Sequence, residues 1–309
     1  MTRALAITDK GEAPAVHDLA YGNAGADRAV IRVRAASVNG IDAYVAAGYV
    51  WDSMPHQFPV VLGRDFAGVV ERVGPDVSGL QVGDRVAGVI TGMDLYVGAI
   101  TEELAIEAGK LTRVPDEVTL EEAAAVGLAG AAARGMVDAL SLTEDDTVLV
   151  AGATGGVGVL AVQLAAAAGA TVIATGRPGT EEALRDLGAA HVVDYTGDLA
   201  AQARALAPDG VTAVAHAAGD AADLGALLKP GGRLASVLGA TDEQVGRDDV
   251  TVTGVQATST PQGFAALLAA VGDGRLRVLV YSTYPLDDSA DAISAFGEHK
   301  FGKLVVTFG

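Results

Sequence analysis

The sequence predicts an α/β chain in which a doubly wound parallel sheet accompanies an all-β, barrel-like unit. Six apolar strand-like runs, near 147–151, 171–175, 191–194, 211–216, 232–237 and 250–256, alternate with helical patterns. This alternation is typical of a doubly wound parallel sheet. The first 115 residues instead show short strands separated by turns, such as 29–36, 67–74 and 84–90, which favours a barrel.

The turn after the first strand of the parallel sheet has the pattern of a dinucleotide-binding loop. An apolar β-branched run enters it and an alanine-rich helical run leaves it. Glycines let the backbone turn sharply and approach a pyrophosphate, and the helix N-terminus favours the anion. Thr154 stands where GxGxxG has its second glycine, and a buried turn without a ligand is the alternative. The expected contacts are Gly152, Thr154, Gly155, Gly156, Val157 and Gly158.

Composition excludes several classes of function. The chain has 309 residues, half of them hydrophobic, a net charge of −18 and no cysteine. The acidity argues against nucleic-acid or anionic membrane partners, and the missing cysteines exclude disulfides and thiolate metal sites. The charge-free run at 147–176 is interrupted by glycines and is better explained by a buried strand and helix than by a membrane span. We expect a cytoplasmic protein, because no secretory hydrophobic region opens the chain.

Two boundaries are predicted. Thr119 and Glu122 form a capping box that opens an alanine-rich helix, where the pattern changes from strands to alternating helices and strands. Residues 276–281, 287–296 and 303–308 read as strand, helix and strand, and the last is expected to return to the first domain. The expected domains are therefore 1–117 with 277–309, and 118–276.

Five motifs carry a resemblance to a known family. They are SVNGID at 37–42, LGRDFAGVVERVG at 62–74, VGDRV at 82–86, GATGGVG at 152–158 and GKLVV at 302–306. In order and spacing the chain resembles the zinc-independent quinone oxidoreductase branch of the medium-chain dehydrogenase/reductase family. The resemblance implies a Rossmann doubly wound parallel sheet plus a GroES-like β-barrel domain, an active site between them, and NADPH-linked hydride transfer to quinones or enones.

No metal site is expected. Zinc-dependent relatives take ligands from two cysteines and from a histidine in a Gly-His-Glu segment. This chain has Gly63, Arg64 and Asp65 at the latter place, no cysteine, and histidines without ligand spacing.

Without a metal, a side chain or a backbone N–H must supply the hydrogen-bond donor that reduction requires. The resemblance to enoyl-thioester reductases makes Tyr49 the first candidate, because its phenol stays protonated at neutral pH. Asn39 is the second candidate. Both residues also have a structural interpretation: Tyr49 as an aromatic side chain that packs in the cleft wall, and Asn39 as a turn residue that bonds its own loop. Tyr44 and Trp51 are expected to form pocket walls.

Four other polar residues are expected to have mainly structural roles. Asp42 and Asp65 are expected to be structural, as a helix cap and a strand anchor. For Arg64, an ion pair with Asp65 is favoured over binding of an acidic or phosphate-bearing substrate. His216 is expected to be satisfied in the domain core rather than to touch the cofactor.

The cofactor is expected to be NADPH. NAD enzymes place an acid at the end of the second strand of the sheet, whereas an arginine accommodates a 2′-phosphate. Here the strand ends at Gly176 and Arg177, and the first acid is Glu181. The resemblance adds Tyr195, Gly239 and Lys303 as cofactor contacts.

Three functions follow as hypotheses. The first is an NADPH-dependent quinone or enone oxidoreductase, and the second a 2-enoyl-thioester reductase of fatty-acid or polyketide type. The third is an NADPH-binding sensor or structural protein with little turnover. A small-molecule acceptor and a homodimer, paired through the strand at 251–256, are the expected partners.

Overall fold

A computed structural model describes residues 1–20, 25–92 and 94–309. The chain divides into two compact units. Unit 1 comprises Met1–Leu128 and Ser259–Gly309, and unit 2 comprises Ala129–Thr258. The domain limits from the sequence, after residues 117 and 276, stay a prediction.

The described strands and helices alternate as the sequence patterns indicate. The strands are β1 Thr2–Ile7, β2 Ala15–Leu19, β3 Arg28–Ser37, β4 Val60–Val61, β5 Asp65–Val73, β6 Arg85–Val89, β7 Glu103–Glu107, β8 Thr112–Arg113, β9 Thr147–Ala151, β10 Thr171–Gly176, β11 His191–Asp194, β12 Val211–His216, β13 Leu228–Ser236, β14 Thr251–Gly254, β15 Val280–Pro285 and β16 Lys303–Thr307. The helices are α1 Gly40–Ala46, α2 Leu120–Leu140, α3 Gly156–Ala167, α4 Glu181–Asp186, α5 Leu199–Leu206, α6 Ala221–Gly225, α7 Asp242–Val245, α8 Pro261–Gly272 and α9 Ser289–Ser294.

Unit 1 is built around the long strand β3. Its main sheet has the order β15-β16-β3-β5-β6-β8, with β7 also on β3, and a smaller sheet has the order β2-β1-β4. The final strand β16 pairs antiparallel with β3, so that Val305 lies opposite Ser37. Apolar side chains from both sheets form one core that includes Leu5, Ile31 and Phe66. The predicted return of the C-terminal strand to this unit is confirmed.

The segment after β3 begins with helix α1, which the pattern of short strands and turns in the first 115 residues does not indicate. Asn39 precedes the helix in extended conformation, and the Asp42 carboxylate accepts the Asn39 backbone N–H at 2.9 Å. This cap satisfies a donor that a helix start would otherwise leave unpaired. Two C-terminal predictions also shift: the strand expected at 276–281 is β15, and the helix expected at 287–296 is shortened to α9 between two 3-10 turns.

Unit 2 contains the doubly wound sheet. Its six strands are parallel and have the order β11-β10-β9-β12-β13-β14. The order reverses direction at β9, and ligands of such sheets bind beside this switch point, at the carboxyl ends of the strands. The predicted fold class is confirmed, and β14 lies at one edge of the sheet.

Helix α2 begins with the predicted capping box. The Thr119 N–H donates to the Glu122 carboxylate at 2.9 Å, and the Glu122 N–H donates to the Thr119 hydroxyl at 3.1 Å. Among the described helices it is the one long and apolar enough to cross a membrane, by length and composition only. Of its 18-residue apolar window, 67% is buried within the structure. A core helix passes the same test, so its length is weak evidence for a membrane span.

Candidate functional site

The turn between β9 and α3 has the tight geometry that the glycine pattern predicts. Gly152 has φ +83°, and a Cβ there would lie 2.8 Å from that of Ala218. A Cβ on Gly158 would lie 2.1 Å from the Gly152 carbonyl oxygen, so the helix packs directly on the turn. Gly155 precedes α3 in extended conformation. Thr154, Gly156 and Val157 are half-buried beside it. The N-terminus of a twelve-residue helix therefore follows β9 at once, which is the arrangement that binds a pyrophosphate.

The chain continues from the end of β10 without an acid before Glu181. Arg177 follows the strand, where its N–H donates to the Thr180 hydroxyl at 3.1 Å and that hydroxyl donates back to the Arg177 carbonyl at 2.8 Å. The first acid, Glu181, accepts the Gly179 N–H at 2.8 Å. The first acid after the strand is therefore engaged with the backbone of its own turn.

The other residues predicted to contact the cofactor in unit 2 lie after neighbouring strands. The N–H of Tyr195 donates to the Gly176 carbonyl at 3.0 Å, and its side chain is 40% exposed. Gly239 follows β13 with φ +75°, and a Cβ there would meet nothing within 4 Å. The residues around the turn therefore fit a dinucleotide: a close-packed helix start, an arginine, and open backbone at the carboxyl ends of the strands.

The ring of His216 is buried in unit 2 and hydrogen-bonded there, as the sequence favoured. Its side chain is 3% exposed. Its ring nitrogens lie 3.0 Å from the Ser236 hydroxyl and 3.1 Å from the Gly219 carbonyl oxygen. Both polar atoms thus have protein partners, and the ring holds the ends of β12 and β13 together.

In unit 1, Asn39 and Lys303 come together in a buried polar network, which we call the Asp65 network (Ser37, Asn39, Asp65 and Lys303). The Lys303 ammonium donates to the Asn39 side-chain oxygen at 2.6 Å and to the Val38 carbonyl at 2.8 Å. The Asn39 amide nitrogen donates to Asp65 at 2.8 Å and to the Ser37 carbonyl at 3.3 Å. The Asn39 side chain, expected to face the acceptor, is therefore engaged within the protein.

The Asp65 carboxylate is fully buried, yet it has several partners. One oxygen accepts the Ser37 hydroxyl at 2.6 Å and lies 3.9 Å from the Lys303 ammonium. The other accepts the Leu128 N–H of α2 at 2.7 Å. Burial raises the pKa of Asp65, and the Lys303 charge and these hydrogen bonds oppose that shift. Burial likewise lowers the pKa of Lys303, against the pull of Asp65.

Asp42 lies beside this network and caps α1, as expected. Its second oxygen accepts the Gly63 N–H at 2.8 Å. Burial raises the pKa of Asp42 to about 6, although both backbone hydrogen bonds and the Arg64 charge favour the ionised form.

Arg64 corrects one prediction, because it does not pair with Asp65. Among the described residues no carboxylate lies within 4.0 Å of its guanidinium, and its Nη2 donates to the Asp94 carbonyl at 3.2 Å. The Asp65 oxygens instead accept hydrogen bonds from Ser37, Asn39 and Leu128. Within the part of the chain that the structure describes, the buried Nη1 of Arg64 has no hydrogen-bond partner.

The aromatic residues of α1 and of the segment after it form an exposed pair and a buried cluster. Tyr49 is 75% exposed and Tyr44 50% exposed, with ring centroids 6.1 Å apart. Trp51, expected as a pocket wall, is 7% exposed and packs against His56 and Phe58 at 5.1 and 5.3 Å. The tryptophan is therefore a core residue, because the chain turns inward after the exposed Tyr49.

Sequence reasoning missed Ser37 and Leu128 as partners of Asp65. Ser37 lies opposite Asp65 in the β3–β5 pair, and only the strand register shows this. A signal for Leu128 does exist in the sequence: Gly127 interrupts an alanine-rich helix, and a Cβ there would lie 2.7 Å from the Asp65 carboxylate. Among the described residues, no group of three His, Asp or Glu side chains could hold a metal ion.

Comparison with known proteins agrees with this architecture. Residues 25–116 match the alcohol dehydrogenase GroES-like domain family, and residues 187–306 match the zinc-binding dehydrogenase family. The chain belongs to the medium-chain dehydrogenase/reductase family. The family predicted from the motifs is therefore confirmed, and its members are oxidoreductases.

Solved structures of this family superpose along the whole chain. A Pseudomonas syringae quinone oxidoreductase is 27% identical with a TM-score of 0.87, covering 99% of this chain and 100% of its own. A mycobacterial protein solved with NADPH is 29% identical with a TM-score of 0.86 and the same coverage.

Similar sequences include reductases and large synthases. A mycocerosic acid synthase-like polyketide synthase of Mycolicibacterium smegmatis is 34% identical over 92% of this chain, which spans only 14% of that protein. The trans-enoyl reductase phm4 of Pyrenochaetopsis sp is 34% identical over 63% of this chain and 56% of its own.

Proposed function

We propose that the chain is an NADPH-dependent, zinc-free reductase that transfers a hydride to a quinone or to an activated carbon–carbon double bond such as an enone. The observation that carries this proposal is the tight turn between β9 and α3, followed by Arg177 rather than an acid at the end of β10. The mycobacterial relative solved with NADPH supports the same cofactor.

Bound NADPH would supply the hydride, and the residues of this chain would bind and orient it. The helix N-terminus at Gly156 would face the pyrophosphate, and Arg177 would pair with the 2′-phosphate. Tyr195, Gly239 and Lys303 are proposed as further contacts. The Lys303 ammonium would act on the cofactor mainly through its positive charge, because its hydrogen bonds are made to Asn39 and Val38.

The proton for the reduced double bond is proposed to come from Tyr49. Its side chain is 75% exposed, so that its hydroxyl is proposed to face the bound acceptor. A phenol that remains protonated at neutral pH can donate to a carbonyl oxygen or to the carbon that becomes electron-rich. Hydride from the cofactor and proton from the tyrosine together complete the reduction. Asn39 is proposed to support this site from the buried network.

A 2-enoyl-thioester reductase is the second candidate. The names of two kinds of relative support it, since one is a trans-enoyl reductase and the other a polyketide synthase. An enoyl thioester is also an activated double bond, so the same hydride and proton donors would serve it. The quinone oxidoreductase among the similar structures supports the first candidate.

We further propose a homodimer and a cytoplasmic location. The edge position of β14 supports the dimer, because an unpaired edge strand can pair with its copy. Size-exclusion chromatography with light scattering tests it.

The function is tested by following NADPH absorbance with quinones, enones and enoyl-CoA esters. Consumption with quinones or enones supports the first candidate, and consumption restricted to enoyl-CoA esters supports the second. Tight NADPH binding without consumption across the panel would instead favour a sensor or structural protein. A better rate with NADH would refute the role of Arg177.

A further inference from the structure

The Asp65 network joins four separate parts of unit 1 at one carboxylate. Asp65 begins β5 and holds Ser37 at the end of β3, Asn39 before α1 and Leu128 within α2, at distances of 2.6 to 2.8 Å. The ammonium of Lys303, at the start of β16, lies 3.9 Å away. A carboxylate with this many partners fixes the relative placement of every element that it contacts.

The contact with α2 comes from the interior of the helix. The Leu128 N–H donates to the Asp65 carboxylate at 2.7 Å. Gly127 makes room for the carboxylate, because a Cβ there would lie 2.7 Å from its oxygen and 2.9 Å from a Val89 methyl. The glycine that weakens an alanine-rich helix thus has a packing reason.

Helix α1 carries the effect of the network to Tyr49. The helix has only seven residues, about 10 Å in length, and Asn39 at its start is held by both Lys303 and Asp65. At its end the Tyr49 N–H donates to the Tyr44 carbonyl at 3.0 Å. The orientation of the exposed tyrosine therefore depends on a short rigid element that is anchored at the opposite end.

We propose that Asp65 is a positioning residue that acts through Asn39 and α1 on Tyr49. The role of Tyr49 rests on the proposed function, whereas the mechanical link from Asp65 to the segment after α1 does not. Lys303 provides the counter-charge that allows the carboxylate to be buried, because a buried charge without a partner is strongly unfavourable.

The single tryptophan of the chain reports on this link without any assay of activity. Trp51 is two residues beyond Tyr49 and buried, and its ring lies next to Gly48, where a Cβ would be 3.3 Å from the indole nitrogen. If Asp65 anchors α1, Asp65→Asn should increase acrylamide quenching of Trp51 at least about twofold at temperatures well below unfolding, because local opening exposes the ring.

Gly127→Ala should produce the same change, since it displaces the Asp65 carboxylate while keeping both charges. Its matched control is Gly272→Ala in α8, where a Cβ would meet its nearest neighbour at an ordinary 3.5 Å. Gly127→Ala also replaces Asp65→Asn as the test if the latter does not fold. The proposal would be overturned if Trp51 were quenched no more strongly in the folded Asp65→Asn and Gly127→Ala variants than in the wild type.

A double-variant cycle then tests the effect on Tyr49. Asp65→Asn should lower kcat about tenfold, since misplacing a catalytic group affects turnover. In a Tyr49→Phe background the same substitution should have no further effect on kcat, because residues that act as a unit are non-additive. If the two fold-changes in kcat multiply in the double variant, Asp65→Asn acts through a general destabilisation, and the positioning role is refuted. If no acceptor is reduced, the proposed function fails, and the quenching experiment still decides the link.

Discussion

The closest packing in the candidate cofactor site lies at Gly158, and Gly158→Ala is the sharpest test of the glycine turn. A methyl group there would lie 2.1 Å from the Gly152 carbonyl oxygen and 2.6 Å from the Ala153 Cα. Both are backbone atoms, so no side chain can rotate away. An ordinary contact begins near 3.4 Å, and the start of α3 would therefore have to move outward by about 1.3 Å.

This displacement should affect both stability and cofactor binding. Overpacking of this kind costs about 1–3 kcal/mol, which corresponds to a decrease in Tm of about 2–12 °C for a unit of this size. Because the pyrophosphate is expected to bind the same helix start, the NADPH Kd should increase at least about tenfold.

The assays are thermal unfolding by circular dichroism and titration of NADPH fluorescence. The matched control is Gly254→Ala in β14, where a Cβ would meet nothing within 4 Å, and it should behave as wild type in both assays. Wild-type values for Gly158→Ala would refute the packing argument. A decreased Tm with an unchanged NADPH Kd would support the packing argument but refute the placement of the cofactor at this turn.

Three further predictions concern single side chains. Tyr49→Phe should lower kcat about 100-fold with an unchanged Tm, because the exposed hydroxyl makes a catalytic and not a packing contribution; full turnover would remove its role as the donor. Arg177→Ala should increase the NADPH Kd about tenfold and leave the NADH Kd within about twofold, and equal losses for both cofactors would contradict the 2′-phosphate assignment. The raised pKa of Asp42, about 6 when folded, contributes stability that is complete below pH 3.8 and is lost as the pH rises through 6. Relative to Asp42→Asn, the wild type should therefore lose about 0.8 kcal/mol of unfolding free energy between about pH 5.5 and 7.5, and parallel profiles in denaturant titrations would refute the shift.

Sequence reasoning was most successful where the signal is local. The strands of the doubly wound sheet, the turn at Gly152 and the cap at Thr119 all follow from patterns within about ten residues. Helix α1 was missed although its own cap, Asp42, had been recognised. A seven-residue helix has too few turns to show a periodic pattern, and the cap alone marked its start.

The sequence by itself determined the glycine turn, the parallel sheet and the absence of an acid after β10, because each depends on neighbouring residues and their backbone preferences. Only the tertiary structure decided that Lys303 contacts Asn39, 264 positions away, and that Asp65 pairs with this lysine rather than with Arg64. It also placed Trp51 in the core. Such contacts depend on strand register and on the balance of buried charge, which arise when distant segments pack together.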